Sequence, residues 1–184
     1  MNDPIHVEYL KLALDEARKC EPTPTAFCVG CLIVIPGVNL TDASPLPVPS
    51  EISEQHKDVL STGYSRELPG NTHAEANTLT KAYTLSTVKI EGEEVSVEDL
   101  LTLSDVYTTL EPCSVRLSGL APCADALVKA NIKRCFIGIS EPKDFVECEG
   151  QRKLMEAGIE VIRVKGLEEE CLAVARTGHE GSKP

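Results

Sequence analysis

Four residues near the middle of the chain have side chains that could form a metal site. His73 is followed two residues later by Glu75, and two thiols, Cys113 and Cys123, lie further along, each directly preceded by a proline. Zinc prefers nitrogen and thiolate ligands in tetrahedral geometry, and a catalytic zinc site keeps three protein ligands and leaves the fourth position to water. These residue types therefore predict a zinc site formed by His73, Cys113 and Cys123, with Glu75 as a carboxylate beside the metal.

The positions of these residues relative to helices support the same interpretation. A helix that starts near His73 would hold His73 and Glu75 in its first turn, and a second apolar helix begins at Cys123. Helix N-termini carry a positive partial charge, which favours thiolate and hydroxide. Taken singly, each ligand could be a core residue, and Glu75 could be an acidic residue favoured at a helix start. All four occurring together favours the metal site.

The pattern also predicts a reaction. H-x-E followed by P-C and a second cysteine is the signature of zinc-dependent base deaminases, in which the glutamate moves a proton from zinc-activated water to the base. Glu75 would be this catalytic proton shuttle, and it would then help to protonate the departing amine. One feature departs from the compact C-x-x-C spacing, because nine residues (114–122) separate Cys113 from Cys123.

Three polar residues near the thiols allow more than one interpretation. Glu111 could accept a hydrogen bond behind the metal ligands, or it could simply end a strand. Arg116 and Ser118 lie between the two thiols. Arg116 could bind a substrate phosphate, since guanidinium groups pair well with phosphate, or it could be a solvated surface residue.

Composition limits the partners. The 184 residues carry a net charge of −11, and their number fits a single domain over residues 1–184, with a loose tail over 178–184. Proteins that neutralise many phosphates are usually basic, so we expect no nucleic acid and no membrane as partner. A small phosphorylated substrate needs only a local basic site and remains compatible with this charge.

The N-terminus and the cysteines indicate the compartment. The first residues show no signal peptide, and the longest apolar run, residues 28–35, is far shorter than the ~20 residues that span a bilayer. We therefore expect a cytoplasmic protein, with the nucleus as a further compartment, and reduced thiols. Cys28 and Cys31 form a CxxC that we interpret as two small core residues. His6, His56 and His179 have no partners suggested by spacing and are expected at the surface.

Apolar periodicity predicts a hairpin followed by alternating strands and helices, which implies a sheet between layers of helices. Residues 36–55 show no strong period and are expected to form a surface excursion, and residues 88–103 an acidic insertion with a helical piece. The helices are expected over residues 5–19, 73–85, 97–103, from 123, 149–157 and 167–177, and the strands over residues 27–35, 58–64, 106–110, 132–139 and 159–164.

The motifs THAE at 72–75, YTTLEPCS at 107–114 and PCADAL at 122–127 resemble those of the pyrimidine deaminases of riboflavin biosynthesis. The resemblance covers most of the chain. TAFCVG at 25–30 and GYSRELPGNT at 63–72 are similar to the fungal-type enzymes. Bacterial-type members have an Asn-Pro pair where this chain has Ala-Phe, and their gap between the cysteines is one residue shorter.

The resemblance implies an α/β protein with the cytidine deaminase-like fold, a three-layer α/β/α sandwich with a five-stranded mixed sheet, and a catalytic zinc ion. It implies hydrolytic removal of an amino group from 2,5-diamino-6-(ribitylamino)pyrimidinone 5'-phosphate. It also implies a homo-oligomer, for which we expect a homodimer. Residues expected to bind the substrate are Asn71, Ala74, Leu110, Ser114 and Arg116.

Two other functions stay open at this point. The chain could be a deaminase of the same fold that acts on cytidine, deoxycytidylate or tRNA adenosine, although the acidic charge counts against tRNA. It could also be a structural zinc module without catalytic activity. The presence of Glu75 favours catalysis, because a structural zinc site has no need of that carboxylate.

Overall fold

The computed structural model of the protein describes residues 3–40, 47–116, 119–140 and 149–179. In these ranges the helices are α1 (Pro4–Ala17), α2 (Ser50–Gln55), α3 (Ala74–Tyr83), α4 (Val97–Leu101), α5 (Cys123–Lys129), α6 (Gly150–Glu156) and α7 (Glu168–Ala175). The strands are β1 (Gly30–Val34), β2 (Val59–Tyr64), β3 (Thr87–Ile90), β4 (Glu93–Ser96), β5 (Asp105–Leu110), β6 (Arg134–Ile139) and β7 (Glu160–Arg163).

Five strands form the main sheet in the order β2-β1-β5-β6-β7. Strand β1 is antiparallel to both β2 and β5, whereas β5, β6 and β7 run parallel to one another. The predicted five-stranded mixed sheet is therefore confirmed. Its parallel half brings the carboxyl ends of β5 and β6 to the same edge, where the chain continues into the segment that holds Cys113.

Side chains from both faces of the sheet are buried. Along β1, Cys31 and Ile33 belong to one apolar cluster, and Leu32 and Val34 belong to the other. Because side chains alternate between the two faces of a strand, a strand buried on both faces reads as a continuous apolar run. Helices α3, α5 and α6 contribute to the first cluster, and α1 and α7 to the second. These layers confirm the predicted three-layer sandwich.

Helix α1 approaches the sheet closely at Gly30. The helix begins after Asp3, whose side chain accepts a hydrogen bond from the backbone of Ile5 at 3.2 Å, and Pro4 occupies its first position. A Cβ atom on Gly30 would lie only 1.9 Å from the carbonyl oxygen of Ala13. The absence of a side chain at Gly30 therefore lets the backbone of α1 rest directly on β1.

Two predictions about the connecting segments need correction. The helical piece expected within residues 88–103 is present as α4, but the antiparallel hairpin of β3 and β4 that precedes it was not expected. The expected excursion over residues 36–55 contains α2, whose Ile52 is buried against the α1 side of the sheet. Residues 41–46, Ser118 and the tail beyond His179 lie outside the described residues. Within the described part, no helix is both long and apolar enough to cross a membrane.

The prediction that three histidines lie at the surface without partners is also wrong. His6 stacks on Phe136 at 4.2 Å between ring centroids, and its Nδ1 atom lies 2.8 Å from the hydroxyl of Tyr107. His56 is buried, and His179 has its Nε2 atom 3.2 Å from the carbonyl oxygen of Ala26. Their partners are distant in sequence, so local spacing gave no signal for these contacts.

Candidate active site and metal centre

The predicted ligands meet where two helices begin and one strand ends. His73 directly precedes α3, Cys123 is the first residue of α5, and Cys113 follows the carboxyl end of β5. The start of α5 faces Cys113, because the backbone N–H of Cys123 donates to the Cys113 sulfur at 3.3 Å and that of Ala124 donates to the Cys113 carbonyl at 3.1 Å. The first turn of α5 therefore holds both thiols in one place.

The donor atoms of these residues converge. The Nδ1 atom of His73 lies 3.5 Å from the sulfur of Cys113 and 3.5 Å from that of Cys123. All three possible ligand atoms lie within 4.8 Å of one another. One imidazole nitrogen and two sulfur atoms are the donors that zinc prefers, so this group could hold a zinc ion.

The electrostatics of the two thiols suit a cation. A hydrogen bond from Cys123, reinforced by contacts with His73 and opposed by burial, lowers the pKa of Cys113 to about 4. The same hydrogen bond, together with burial, raises the pKa of Cys123 well above its usual range. One thiolate is therefore favoured before any metal binds, and a cation would favour ionisation of the second thiol as well.

Glu75 lies beside the three ligands but outside their group. It is in the first turn of α3 and only 3% exposed. Burial is the largest effect on this carboxyl group, and together with the charge of Cys113 it raises the pKa of Glu75. The hydroxyl of Thr108, on β5, donates a hydrogen bond to Glu75 Oε1 at 3.2 Å. The carboxyl group is thus a buried proton acceptor next to a candidate metal site.

A cavity of about 200 Å³ opens onto this group. His73, Glu75 and Cys113 form part of its wall. The remaining lining residues come from the segment before β1, the turn after β2 and the end of β5: Thr25, Ala26, Phe27, Val29, Ser65, Arg66, Asn71, Leu110, Glu111, Val115 and Arg116. The wall combines apolar side chains with polar and charged ones of both signs, so it could bind a small polar molecule.

Of the five residues expected to bind substrate, some lie on the cavity wall and others are buried away from it. Asn71, Leu110 and Arg116 line the cavity, and the Arg116 guanidinium donates to the Asn71 carbonyl at 2.5 Å. Ala74 is fully buried in the core cluster on the α3 side. Ser114 is also buried, and its hydroxyl accepts a hydrogen bond from the backbone of Glu149 at 3.0 Å. The structure thus brings three of the five to the cavity wall.

Glu111 lies at the strand end, and its carboxylate accepts hydrogen bonds from Gln151, which is not a candidate metal ligand. It directly follows β5, and its carboxylate accepts hydrogen bonds from the backbone N–H of Gln151 at 3.0 Å and from the Gln151 side chain at 2.8 Å. Gln151 belongs to α6. Glu111 therefore ties the segment that carries Cys113 to the start of α6.

Residues 25–29 and 65–66 form a part of the wall to which the sequence motifs assigned no role. Arg66 joins these two segments, because its guanidinium donates to the carbonyl oxygen of Glu21 at 2.8 Å and to that of Phe27 at 3.1 Å. The backbone of Arg66 has a positive φ of 65° within the turn that leads to His73. The two segments that resemble the fungal-type enzymes contain these residues, so a sequence signal was present but had no assigned role.

Comparison with known families places this fold and this site in one class. Residues 39–139 match the family described as the cytidine and deoxycytidylate deaminase zinc-binding region. The chain belongs to this family. The prediction of zinc as the cofactor is confirmed by the family and by the convergence of His73, Cys113 and Cys123.

Individual relatives narrow the class. The chain is 40% identical over 174 residues to the diaminohydroxyphosphoribosylamino-pyrimidine deaminase of Schizosaccharomyces pombe, covering 95% of this chain and 36% of that protein. It is also similar to the crystal structure of the Aspergillus oryzae Rib2 deaminase in complex with DARIPP, a C-terminal deletion mutant, with 33% identity and a TM-score of 0.69 over 95% of this chain and 92% of that chain. The predicted resemblance to the riboflavin-biosynthesis deaminases is confirmed.

A more distant structure supports only the fold. The dCMP deaminase of the cyanophage S-TIM5 shares 18% identity and a TM-score of 0.56, over 89% of this chain and 100% of that chain. The chain spans about a third of the length of the first curated relatives that it matches, 36% and 30% respectively.

Proposed function

We propose that this chain is a zinc-dependent hydrolytic deaminase that acts on 2,5-diamino-6-(ribitylamino)pyrimidinone 5'-phosphate in riboflavin biosynthesis. The observation that carries the proposal is the buried carboxyl group of Glu75 on the wall of the same cavity as His73 and Cys113. A proton acceptor beside a histidine–cysteine–cysteine group is the arrangement that hydrolytic deamination of a base requires. The name of the S. pombe relative supports a phosphorylated aminopyrimidine as the substrate class.

In this proposal His73, Cys113 and Cys123 would hold the zinc ion, which would supply the Lewis acidity that makes water nucleophilic at neutral pH. Glu75 accepts a proton from the attacking water at a carboxylate oxygen and delivers it to the ring nitrogen next to the amino-bearing carbon. Addition of the water oxygen forms the new C–O bond. Glu75 then takes the second proton from the resulting hydroxyl group and gives it to the amine, so that the C–N bond breaks, ammonia leaves and a carbonyl group remains.

The substrate is held by the polar part of the wall. Arg116 and Asn71 lie together on one side of the cavity and offer a guanidinium and an amide, which suit the phosphate and the polar chain of the substrate. Leu110 contributes apolar contact for the base. Ala74 and Ser114 act through the core and through α6, as expected from their burial, and thereby shape the site.

The proposal includes two further properties. The chain forms a homodimer, and it is located in the cytoplasm, with the nucleus as a further compartment. Large apolar side chains are left exposed near the thiol ligands, namely Val115, which is 54% exposed, and Leu120, which is 53% exposed. A second copy of the chain could cover them. Sedimentation equilibrium measures the mass in solution, and a monomer at micromolar concentration would contradict the dimer.

The function is tested by ammonia release from purified, zinc-loaded protein. The substrates are the ribitylamino and the ribosylamino diaminopyrimidine phosphates, with cytidine and deoxycytidylate beside them. Glu75→Ala is the control variant, and its zinc content is measured in parallel. We expect release from the ribitylamino compound alone, and loss of this release in Glu75→Ala while zinc is retained.

The other outcomes distinguish the alternatives. Turnover of cytidine or deoxycytidylate alone would keep the zinc chemistry but contradict the riboflavin assignment. Turnover of the ribosylamino compound alone would contradict the ribitylamino compound as the substrate. A zinc-loaded protein that releases ammonia from none of the four compounds would contradict the proposed function.

A further inference from the structure

The hydroxyl group of Thr108 contacts the carboxyl group of Glu75 from within the sheet. Thr108 is fully buried on β5, and its Oγ1 atom lies 3.2 Å from Glu75 Oε1 and 3.0 Å from the carbonyl oxygen of Leu110. Leu110 itself lines the cavity. A single hydroxyl group therefore connects the carboxyl group to the cavity wall next to it.

The strand that carries Thr108 is a rigid base for such a contact. β5 is paired with β1 on one side and with β6 on the other. Glu75, in contrast, reaches the cavity through a flexible side chain with rotatable bonds, and its carboxyl group needs a fixed partner to stay in one rotamer. A group that must transfer protons loses efficiency when it is misplaced by even about 1 Å.

We propose that Thr108 is a positioning residue that holds the Glu75 carboxyl group in the orientation needed for proton transfer. The inference rests on the proposed deaminase function. The hydroxyl lies within hydrogen-bond distance of both the Glu75 carboxyl group and the Leu110 carbonyl oxygen, and it is carried by a strand that is paired on both sides. This geometry fixes the position of the Glu75 side chain relative to the cavity wall.

The next residue on the strand provides a matched control. Thr109 is as deeply buried as Thr108, but its hydroxyl accepts a hydrogen bond from the backbone N–H of Gly30 at 3.2 Å. Successive side chains on a strand point to opposite faces. Removing the hydroxyl of Thr109 therefore changes the core next to β1 and leaves the contact with Glu75 in place.

The experiment compares variants that differ by one hydroxyl group. Thr108→Val keeps the shape of the side chain but lacks the hydroxyl group of the wild type. Thr108→Ser and Thr108→Ala both lack the methyl group, and of these two only serine has a hydroxyl group. In the zinc-loaded protein we expect Thr108→Val and Thr108→Ala to lower kcat about 10- to 100-fold with KM little changed, because proton transfer by a positioned group contributes about 10²–10⁴-fold. Thr108→Ser and Thr109→Val should keep kcat close to that of the wild type.

Zinc content and melting temperature are recorded for every variant. A kcat of Thr108→Val equal to that of the wild type, or a loss in Thr108→Ser as large as in Thr108→Ala, would overturn the inference. A loss explained by lower zinc content would do the same.

A second measurement does not depend on turnover and so separates this inference from the proposed function. The melting temperatures of Thr108→Val, Glu75→Ala and the double variant form a thermodynamic cycle in the zinc-loaded protein. We expect the double variant to melt at a higher temperature than the sum of the single shifts predicts, because the second change removes a contact that is already lost. Additive shifts would overturn the inference even if the substrate were a different one.

Discussion

The Nδ1 atom of His73 lies 3.5 Å from the sulfur of Cys123, although 50 residues separate the two in the chain. His73 precedes α3 and Cys123 begins α5, and these two helices pack against each other on the same face of the sheet. The contact therefore joins two elements of the outer layer at their N-terminal ends. A metal ion bound there would link α3 to α5 and stabilise the fold as well as the site.

Replacing either of these ligands should abolish tight zinc binding. Cys123→Ser leaves a hydroxyl, which stays protonated where a thiolate is needed, and His73→Ala leaves two ligands. We expect the zinc content of both purified variants to fall to background, measured by elemental analysis after dialysis. Chelation should lower the melting temperature of the wild type, because the metal binds only the folded state, and should leave that of Cys123→Ser unchanged.

Cys171→Ala is the control for this zinc experiment. Its thiol is as deeply buried as that of Cys123 but lies on α7, on the opposite face of the sheet. The variant should bind zinc as the wild type does, even if the cavity that it creates lowers stability. Zinc retention by His73→Ala and Cys123→Ser, at the level of Cys171→Ala, would refute the assigned ligand set.

Arg66→Lys should weaken substrate binding more than it slows the reaction. The guanidinium binds the carbonyl oxygens of Glu21 and Phe27 at the same time, and a lysine ammonium group has no planar fork with which to do so. Phe27 lies on the cavity wall, so loosening this segment widens the site. We expect a KM several-fold higher, a nearly unchanged kcat, and a loss of about 1–3 kcal/mol in the free energy of unfolding.

Arg18→Lys is a suitable comparison for Arg66→Lys. Arg18 pairs with Asp15 and Glu170 through exposed ion pairs, which contribute little to stability. Its replacement should alter neither KM nor the unfolding free energy by a measurable amount. An Arg66→Lys variant with the same KM as Arg18→Lys would show that substrate binding does not depend on the hydrogen bonds from Arg66 to Glu21 and Phe27.

Gly30→Ala should destabilise the protein strongly. The new Cβ atom would lie 1.9 Å from the carbonyl oxygen of Ala13 and 2.5 Å from the backbone nitrogen of Ala17, so α1 must move away from β1. We expect a loss of about 3 kcal/mol in the free energy of unfolding, measured by urea denaturation. Gly92→Ala, where φ is +91° and no atom lies within 4 Å, should cost only about 1 kcal/mol of backbone strain.

The three residues that converge in the structure could be singled out from the sequence because the chemistry of a zinc site restricts the possible residue types. His73, Cys113 and Cys123 come at helix starts or just after a strand, and few alternatives to a metal bring an imidazole and two thiols together at such positions. The order of the strands of the main sheet was equally predictable, since β1 is a short apolar run and β5 is rich in the β-branched and aromatic residues that favour strands. The parallel pairing of β5 with β6 followed from the helix between them.

The rest of the site depends on contacts that spacing does not encode. The hydrogen bonds from Arg66 join residues about 40 positions apart in the chain. The contact between Thr108 and Glu75 joins strand β5 to helix α3. The hairpin of β3 and β4 was missed because its strands are only four residues long, with Val88 as their buried apolar residue. Apolar periodicity carries no signal where most side chains face solvent.

Thr62→Val should stabilise the protein. Thr62 lies on β2 opposite Leu32 and is fully buried, and in the described part of the chain its hydroxyl has no hydrogen-bond partner. A buried hydroxyl without a partner costs about 1–3 kcal/mol, and valine fills the same volume without that group. We expect the melting temperature to rise by about 2–4 °C for each kcal/mol gained, measured by differential scanning calorimetry.

Thr109→Val is the same change at a buried hydroxyl that accepts a hydrogen bond from Gly30. It should instead lower the melting temperature, because the backbone N–H of Gly30 loses its acceptor. If both variants shift in the same direction, the hydrogen-bond state of the hydroxyl is not what decides stability at these two positions.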